Sequence, residues 1–141
     1  MFETMYAEPG IGLAAPQVGV SQRLVVLASV PDDDEGRNLG APLVLVNPEI
    51  LWRSPDLVPY EEGCLSVPDI TEIVDRPRAI RFRYASLDGA APERDAAGLL
   101  ARVVQHEVDH LDGVLFVDRL SLLKRQLLRK RLQRLGAAAR A

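Results

Sequence analysis

The sequence is poor in the residue types that build disulfides and membrane spans. It has one cysteine, Cys64, among 141 residues, so no disulfide can form within the chain. It has no run of eighteen apolar residues, so no spanning helix is expected. The first ten residues, MFETMYAEPG, lack the basic and apolar regions of a secretory signal. We therefore expect a cytoplasmic protein with no membrane partner.

The chain does have a large apolar fraction and an uneven distribution of charge. Hydrophobic residues make up 48% of it, which is enough to bury the core of one domain. The net charge is −3, yet the segment from Ser121 onward carries seven basic residues and no acidic one. Such a tail is typical of contact with an anionic partner, and a basic solvated helix face explains it equally well. We divide the chain into a body, residues 1–120, and a basic tail, residues 121–141.

Three segments are predicted to be strands. Residues 23–30, RLVVLASV, and residues 43–47, LVLVN, are apolar runs joined by a polar loop, and the second is expected to end at Pro48. Two such runs indicate an antiparallel pair. Residues 79–86, AIRFRYAS, alternate between apolar and charged side chains and precede an Asp-Gly turn at 88–89. This alternation predicts a half-buried strand.

Two helices are predicted from apolar residues at helical spacing. The first runs from Asp95, as N-cap, to Gly113, as the residue just beyond the C-cap. The second begins near Leu120, and its leucines are separated by lysine and arginine. Strands followed by a long helix indicate the α+β class, with antiparallel sheets.

Both histidines of the chain lie in the stretch VVQHEVDHLDG, on the first predicted helix. Residues four apart on a helix differ in direction by about 40°, so His106 and His110 can bind one ion. Glu107 is close enough to reach a water on that ion without being a ligand. This H-E-x-x-H arrangement provides two imidazole ligands and a carboxylate that can take a proton. The alternative is a chance pair on a polar helix face, which arises in roughly one chain in a thousand.

A catalytic site of this kind needs a third protein ligand, leaving a fourth position for water. With no third histidine, the ligand must be a cysteine or a carboxylate. One class of zinc protease has a further histidine where this chain has Phe116, and another uses a downstream glutamate, which is absent after Glu107. Cys64 lies in the glycine-containing stretch YEEGCLSVP, and thiolates bind divalent metals strongly. We therefore expect Cys64 to be the third ligand.

Three stretches together resemble the motifs of the peptide deformylases, in their order and spacing. They are GIGLAAPQVG at 10–19, EGCLS at 62–66 and QHEVDHLDG at 105–113. The resemblance extends from about Met1 to Leu120. It implies a deformylase-like fold, in which antiparallel sheets surround the metal-ligand helix and a basic helix follows. It also implies removal of the formyl group from the initiator methionine of nascent polypeptides, with release of formate.

The resemblance implies a metal site and a mechanism. The ligands would be Cys64, His106 and His110, and the metal would be Fe(II), although zinc, nickel or cobalt can occupy such a site. A water on the metal would be the nucleophile, with Glu107 as general acid and base.

The resemblance also implies how the substrate is held. Donors for the developing oxyanion would be the side chain of Gln17 and the backbone N–H of Leu65. The formylated peptide would pair as an added strand, and its methionine side chain would enter an apolar pocket. Glu62 would pair with a downstream arginine, for which Arg78 is the candidate. The implied substrate-binding residues are Ile11, Gly12, Glu62, Gly63, Leu99 and Val103.

Both ends of the chain bear on this interpretation. Deformylases carry several dozen residues before the first motif, whereas here MFETMYAEP precedes it, in the position of the last turns of a helix. The tail resembles the terminal helix of bacterial deformylases that dock on the ribosome near the exit tunnel, and its leucines could also pack on the body. We expect a monomer. The alternatives are a metal hydrolase of another specificity and an inactive chain that only binds the ribosome.

Overall fold

The architecture is seen in a computed structural model that describes residues 2–7, 11–31, 33, 41–64, 67–114 and 119–128. Among these, the side chains of residues 7, 64 and 67–70 lie outside the description. In chain order the elements are α1 (Phe2–Ala7), β1 (Gly12–Ala14), a 3-10 turn (Ala15–Val18), β2 (Leu24–Leu27), β3 (Leu43–Arg53), β4 (Leu57–Cys64), β5 (Val67–Pro77), β6 (Ala79–Ala85), β7 (Glu93–Ala97), α2 (Gly98–Leu111) and α3 (122–128).

Five strands form one antiparallel sheet in the order β1-β2-β3-β6-β7, which leaves β1 at an edge. The antiparallel pairing of β2 with β3 confirms the prediction for the two apolar runs. The prediction that the second run ends at Pro48 was wrong, since β3 continues to Arg53. Asn47 has a φ of 50°, and the register shifts between Val46 and Glu49. This bulge accommodates a proline, which has no N–H to donate to the ladder.

Strand β6 shows the predicted alternation of buried and exposed side chains. Its aromatic and branched residues point into the core, while Arg81 and Arg83 lie at the surface. Gly89, in the turn that follows, has a φ of 89°, as an Asp-Gly turn requires. The predicted half-buried strand is confirmed.

The helix that carries both histidines begins later than predicted. Asp95 is not its N-cap: it lies in β7, opposite Arg81, and the two side chains form an ion pair at 3.0 Å. The edge of β6 offers main-chain hydrogen-bond partners to residues 93–97, so these residues form a strand. The predicted end is confirmed, because Gly113 has a φ of 77° and its N–H donates to the carbonyl of His110 at 3.1 Å.

Helix α2 occupies the centre of the molecule. All of its residues from Leu100 to His110 are buried. Its apolar side chains meet those of the five-stranded sheet in one cluster, formed by Ala14, Val25, Leu27, Val30, Leu45, Ile80, Phe82, Tyr84, Ala96, Leu100, Ala101, Val103, Val104 and Val108. A helix buried on all sides is typical of a core element. The predicted α+β fold, with antiparallel sheets around the helix of the histidine pair, is confirmed.

The remaining elements lie around this centre. Strands β4 and β5 form a separate two-stranded antiparallel sheet. Helix α1 confirms that the first residues are helical, and its Met5 is fully buried. In α3, Leu128 is buried while Leu127 is exposed, and residues 129–141 of the basic tail lie outside the described part. No helix within the described residues is long and apolar enough to cross a membrane.

Candidate metal centre

The two histidines of α2 face each other inside the protein. The Nε2 atoms of His106 and His110 are 3.2 Å apart, and both residues are buried. Two nitrogen ligands of one tetrahedral ion, each at about 2.0–2.1 Å from it, lie about 3.3 Å apart. The observed separation therefore fits a shared divalent metal ion, and imidazole nitrogens suit iron, zinc, nickel and cobalt alike.

Glu107 lies beside this pair and is almost fully buried. Ligand atoms of Glu107, His106 and His110 are all within 4.8 Å of one another. Its side chain packs against Gly12 of β1, where a Cβ atom would be only 2.9 Å from Glu107 Oε1 and 3.0 Å from a methyl of Val103. Glycine at position 12 therefore leaves room for the glutamate.

Glu62 orients the first histidine. Its Oε1 lies 2.9 Å from Nδ1 of His106, while Nε2 of the same ring faces His110. With Nδ1 donating to the carboxylate, Nε2 presents its lone pair towards the site. This arrangement of carboxylate, histidine and metal fixes the tautomer and raises the basicity of the ligand. Glu62 thus contacts a candidate metal ligand, whereas we had predicted a role for it towards substrate.

Arg78 is not the partner of Glu62, contrary to our prediction. Arg76 binds it through two parallel hydrogen bonds, of 2.7 Å from Nε and 2.9 Å from Nη2, and Arg102 also donates to it. The β4–β5 register places Arg76 opposite Val58, whereas Arg78 follows the end of β5 and pairs with Asp56 at 2.7 Å. Arg76 is buried, and Arg78 is partly exposed.

These contacts keep Glu62 ionised. Burial raises the pKa of Glu62, but hydrogen bonds from His106 and Arg76 lower it more, and the pKa falls from 4.5 to about 2. Burial likewise lowers the pKa of Arg76, and its bonds to Glu62 and Asp109 outweigh that effect and raise it. At neutral pH, a fixed carboxylate charge therefore lies next to His106.

Arg102 ties both strands of the β4–β5 sheet to α2. Besides Glu62, its guanidinium donates to the backbone carbonyls of Val74 in β5 and Val58 in β4. It also lies over the ring of Tyr60, with its Cζ 5.3 Å from the ring centroid. One buried side chain of α2 thereby holds the β4–β5 sheet in place beside His106.

Sequence reasoning missed several of these residues. Arg102 precedes His106 by four residues and so lies on the same helix face, a signal that could have identified it. Asp109 accepts from Arg76 at 2.9 Å and from Arg119 at 2.6 and 3.1 Å. Nothing in the local pattern points to those two long-range pairs, which depend on the packing of β5 and of the segment after α2.

The first motif places Gln17 in the 3-10 turn after β1. Its Oε1 accepts a hydrogen bond of 2.7 Å from the backbone N–H of Ala14. This bond orients the side-chain amide so that its oxygen faces β1. The donor role predicted for Gln17 would use the amide nitrogen, which lies at the other end of the group. Ile11, just before β1, is 44% exposed, and its carbonyl accepts from the N–H of Ala28.

A pocket of about 290 Å³ lies at the start of α2. It is lined by Pro31, Asp33, Val58, Tyr60, Pro77, Arg78, Gly98, Leu99 and Arg102. Leu99 lines this pocket, and Val103, further along α2, is buried against Gly12.

Two of the predicted functional groups lie outside the described residues. The backbone of Cys64 ends β4, opposite Val67, but its side chain is not described, and neither is Leu65. Gly63 is exposed and lies opposite Thr71 in the two-stranded sheet. The thiolate ligand and the backbone donor therefore stay predictions.

The chain is similar to known peptide deformylases over nearly its whole length. The family model for polypeptide deformylase matches residues 1–126. A peptide deformylase from Phenylobacterium zucineum is 50% identical over 139 residues, which cover 99% of this chain and 80% of the relative.

Solved structures give the same result for the fold. Peptide deformylase 1B of Arabidopsis thaliana, in complex with an inhibitor, is 41% identical with a TM-score of 0.87, and the match covers 99% of this chain and 75% of that one. A class I type b peptide deformylase from Acinetobacter baumannii with Met-Ala-Ser bound is 44% identical with a TM-score of 0.76. That match covers 85% of this chain and 76% of the other.

Proposed function

This chain belongs to the polypeptide deformylase family, and on that premise we propose how its residues remove the N-formyl group from nascent polypeptides. The reaction is a metal-dependent hydrolysis that releases formate and leaves a free amino terminus. The observation that carries our proposal for the site is the buried pair His106–His110, with its 3.2 Å separation between Nε2 atoms and with Glu107 beside it.

His106 and His110 would hold the metal together with Cys64. The position of Cys64 supports this role, since it ends β4 two residues after Glu62, whose carboxylate contacts His106. Thiolate and imidazole ligands suit Fe(II), which we propose as the metal, and also Zn²⁺, Ni²⁺ and Co²⁺.

Glu107 is the proposed general acid and base. When bound, a divalent ion at this position makes water acidic enough to act as a nucleophile near neutral pH. Glu107 would accept a proton from the attacking water as the oxygen of that water bonds to the formyl carbon. It then donates the proton to the methionine nitrogen as the C–N bond breaks and formate leaves. The burial of Glu107 keeps its carboxylate away from competing bulk water.

The oxyanion that develops on the formyl group needs donors in fixed positions. We assign the side-chain amide of Gln17 and the backbone N–H of Leu65 to this task. The hydrogen bond from Ala14 to Gln17 supports the first assignment, because it holds the amide in one orientation. Removal of one such donor typically costs about 2.7–4 kcal/mol of transition-state stabilisation.

The substrate would bind as an extended strand. β1 is an edge strand, and edge strands accept an extended peptide by backbone pairing, here near Ile11, Gly12 and Gly63. The methionine side chain would lie against Leu99 and Val103 of α2. The Acinetobacter baumannii relative was solved with Met-Ala-Ser, the product expected from formyl-Met-Ala-Ser, which supports a methionyl peptide as the ligand here.

The basic tail is proposed to contact the ribosome near the exit tunnel, where formylated chains emerge. Within α3, Leu123, Arg125 and Leu127 are exposed, whereas Leu128 is buried and Lys124 lies 3.9 Å from Glu72 of β5. The same helix can thus pack on the body, residues 1–120, and present basic residues outward. We propose that the enzyme is a monomer and works in the cytoplasm, where its substrates are made.

The test is anaerobic release of formate from formyl-Met-Ala-Ser by Fe(II)-loaded protein. Replacement of Glu107 by glutamine should lower kcat by about 10²–10⁴-fold, because the proton acceptor is lost. Metal content should stay unchanged, since Glu107 is not a ligand. The matched control is Glu61→Gln, which changes an exposed glutamate of β4. Formate release by Glu107→Gln at the wild-type rate would contradict the assignment. Absence of release from folded, metal-loaded wild-type protein would favour a chain that only binds the ribosome.

A further inference from the structure

A line of charged side chains connects the ligand helix to the protein surface. It starts at His106, whose Nδ1 lies 2.9 Å from Glu62, and passes through the double hydrogen bond from Arg76 to Glu62. Arg76 also donates to Asp109 at 2.9 Å, and Asp109 binds Arg119. Four contacts therefore separate the histidine from Arg119, and the first four of these five side chains are buried.

Arg119 holds the carboxylate of Asp109 in one orientation. Its Nε donates to Oδ2 at 3.1 Å and its Nη2 to Oδ1 at 2.6 Å, so the planar guanidinium matches both oxygens. Oδ2 is shared with Arg76. Any rotation of this carboxylate would change the contact to Arg76, which in turn contacts Glu62 at both oxygens. The side chain of Arg119 is 47% exposed, and the buried carboxylate of Asp109 keeps its contact to Arg76 when Arg119 is replaced.

We propose that Arg119 is a positioning residue for the metal site, acting on His106 through Asp109, Arg76 and Glu62. Partners that orient a ligand directly, such as Glu62, typically change metal affinity by 10–100-fold when they are replaced. Arg119 lies three contacts farther out than Glu62. Its replacement should therefore weaken metal binding by about threefold to tenfold. The inference rests on the proposed function only in taking His106 as a metal ligand.

A simple electrostatic effect would have the opposite sign. Arg119 carries a positive charge, and its removal would favour a cation at the histidine pair. A positioning effect weakens binding whether the charge is removed or kept, because lysine cannot reproduce the two-point contact to Asp109. The pair of variants Arg119→Gln and Arg119→Lys therefore separates the two explanations.

The experiment measures Zn²⁺ affinity of the full chain by competition with a chromophoric chelator, beside the free energy of unfolding of the metal-free proteins. Both Arg119 variants should bind Zn²⁺ about threefold to tenfold more weakly than the wild type. The matched control is Arg83→Gln. Arg83 is also 47% exposed and also bonded to a carboxylate, Glu49 at 2.8 Å, but it lies on β6 outside this line of contacts. The control should keep the wild-type affinity.

Each other outcome overturns the proposal. Tighter binding by Arg119→Gln with unchanged binding by Arg119→Lys would show a charge effect alone. Wild-type affinity in both variants, or loss of folding in both, would leave Arg119 a purely structural role. If the wild-type chain itself bound no Zn²⁺, the proposed metal centre would fail as well, whereas an effect limited to the Arg119 variants leaves that centre intact.

Discussion

At the scale of single residues, Gly12 is where β1 comes closest to the proposed general base. A methyl group there would lie 2.9 Å from Glu107 Oε1 and 3.0 Å from Val103. The valine methyl is fixed in the core, whereas the carboxylate is the end of a flexible side chain. Glu107 is therefore the group that would move.

The variant Gly12→Ala should consequently lose more activity than stability. Overpacking of this kind costs about 1–3 kcal/mol in the free energy of unfolding, and a displacement of about 1 Å in a catalytic group can lower the rate by about 10²-fold. Formate release and urea unfolding would be measured together. Metal content is the internal control and should stay at the wild-type level. Wild-type kcat in a stably folded variant would contradict the role given to this contact.

Glu62 should make stability depend on pH in the acid range. Its pKa is lowered from 4.5 to about 2 in the folded protein, so its contribution is complete above 4.5 and is lost as the pH falls towards 2. The loss amounts to at most about 3 kcal/mol in the free energy of unfolding. Carboxyl carbon chemical shifts of the metal-free protein would give the titration midpoint directly. A midpoint near 4.5 would contradict the buried contacts to His106 and Arg76.

The choice between Arg76 and Arg78 shows what residue patterns cannot decide. The two residues are two positions apart, so the alternation of side chains along a strand predicts that both lie on the same face. Their roles differ because of the β4–β5 register, which places Arg76 opposite Val58 and leaves Arg78 beyond the strand. Register depends on pairing between distant segments, and the sequence of either segment alone does not determine it.

At the scale of elements, the two ends of α2 differ in how well the sequence predicts them. The end was predictable because Gly113 adopts a φ that other residues rarely take. The start was not, because the segment ERDAA consists largely of helix-forming residues yet forms β7 against β6. Tertiary pairing overrides local preference there. The apolar pattern of α2 and the histidine spacing were sufficient to predict the centre of the site.

The last turn of α2 offers a prediction with a close control. Gly113→Ala should lower the free energy of unfolding by about 1 kcal/mol, since φ is 77° and no other atom lies near the new methyl group. It should also weaken Zn²⁺ binding, because the N–H of Gly113 donates to the carbonyl of His110.

The control is Gly89→Ala, which has the same kind of strain in the turn between β6 and β7. Its φ is 89°, and its surroundings are equally open. A similar loss in the free energy of unfolding is expected from urea denaturation, with unchanged Zn²⁺ affinity. Equal effects on Zn²⁺ affinity in both variants would argue against a specific link between the last turn and His110.

At the scale of the whole molecule, metal binding should stabilise the fold. An ion that binds only the folded chain adds about 2.7 kcal/mol when its free concentration is one hundred times the dissociation constant. Removal of the metal by a chelator should therefore lower the unfolding temperature of the wild type. In His110→Ala, which lacks one ligand, chelator treatment should have little effect. A wild-type chain with the same unfolding temperature with and without metal would contradict the proposed centre.

The sequence predicted more of the whole molecule than of its contacts. The class of fold and the central position of the ligand helix followed from apolar periodicity and from the three motifs. The ionic line from His106 to Arg119 did not, because it joins five residues from β4, β5, α2 and the segment after α2. Such pairs are created only when these elements pack together. The roles of Cys64 and Leu65 stay predictions.

The order of the elements along the chain has a consequence for how this enzyme is made. Every strand of the five-stranded sheet precedes α2, yet α2 supplies the apolar surface that covers the sheet. During translation the strands emerge first. The apolar face of the sheet that α2 covers stays exposed to water until residue 111 has left the exit tunnel. The histidine pair is completed at the same moment as the core. An enzyme that acts on nascent chains thus completes its own fold late in its synthesis. Its incomplete nascent chains expose an uncovered apolar sheet face, which is prone to aggregation.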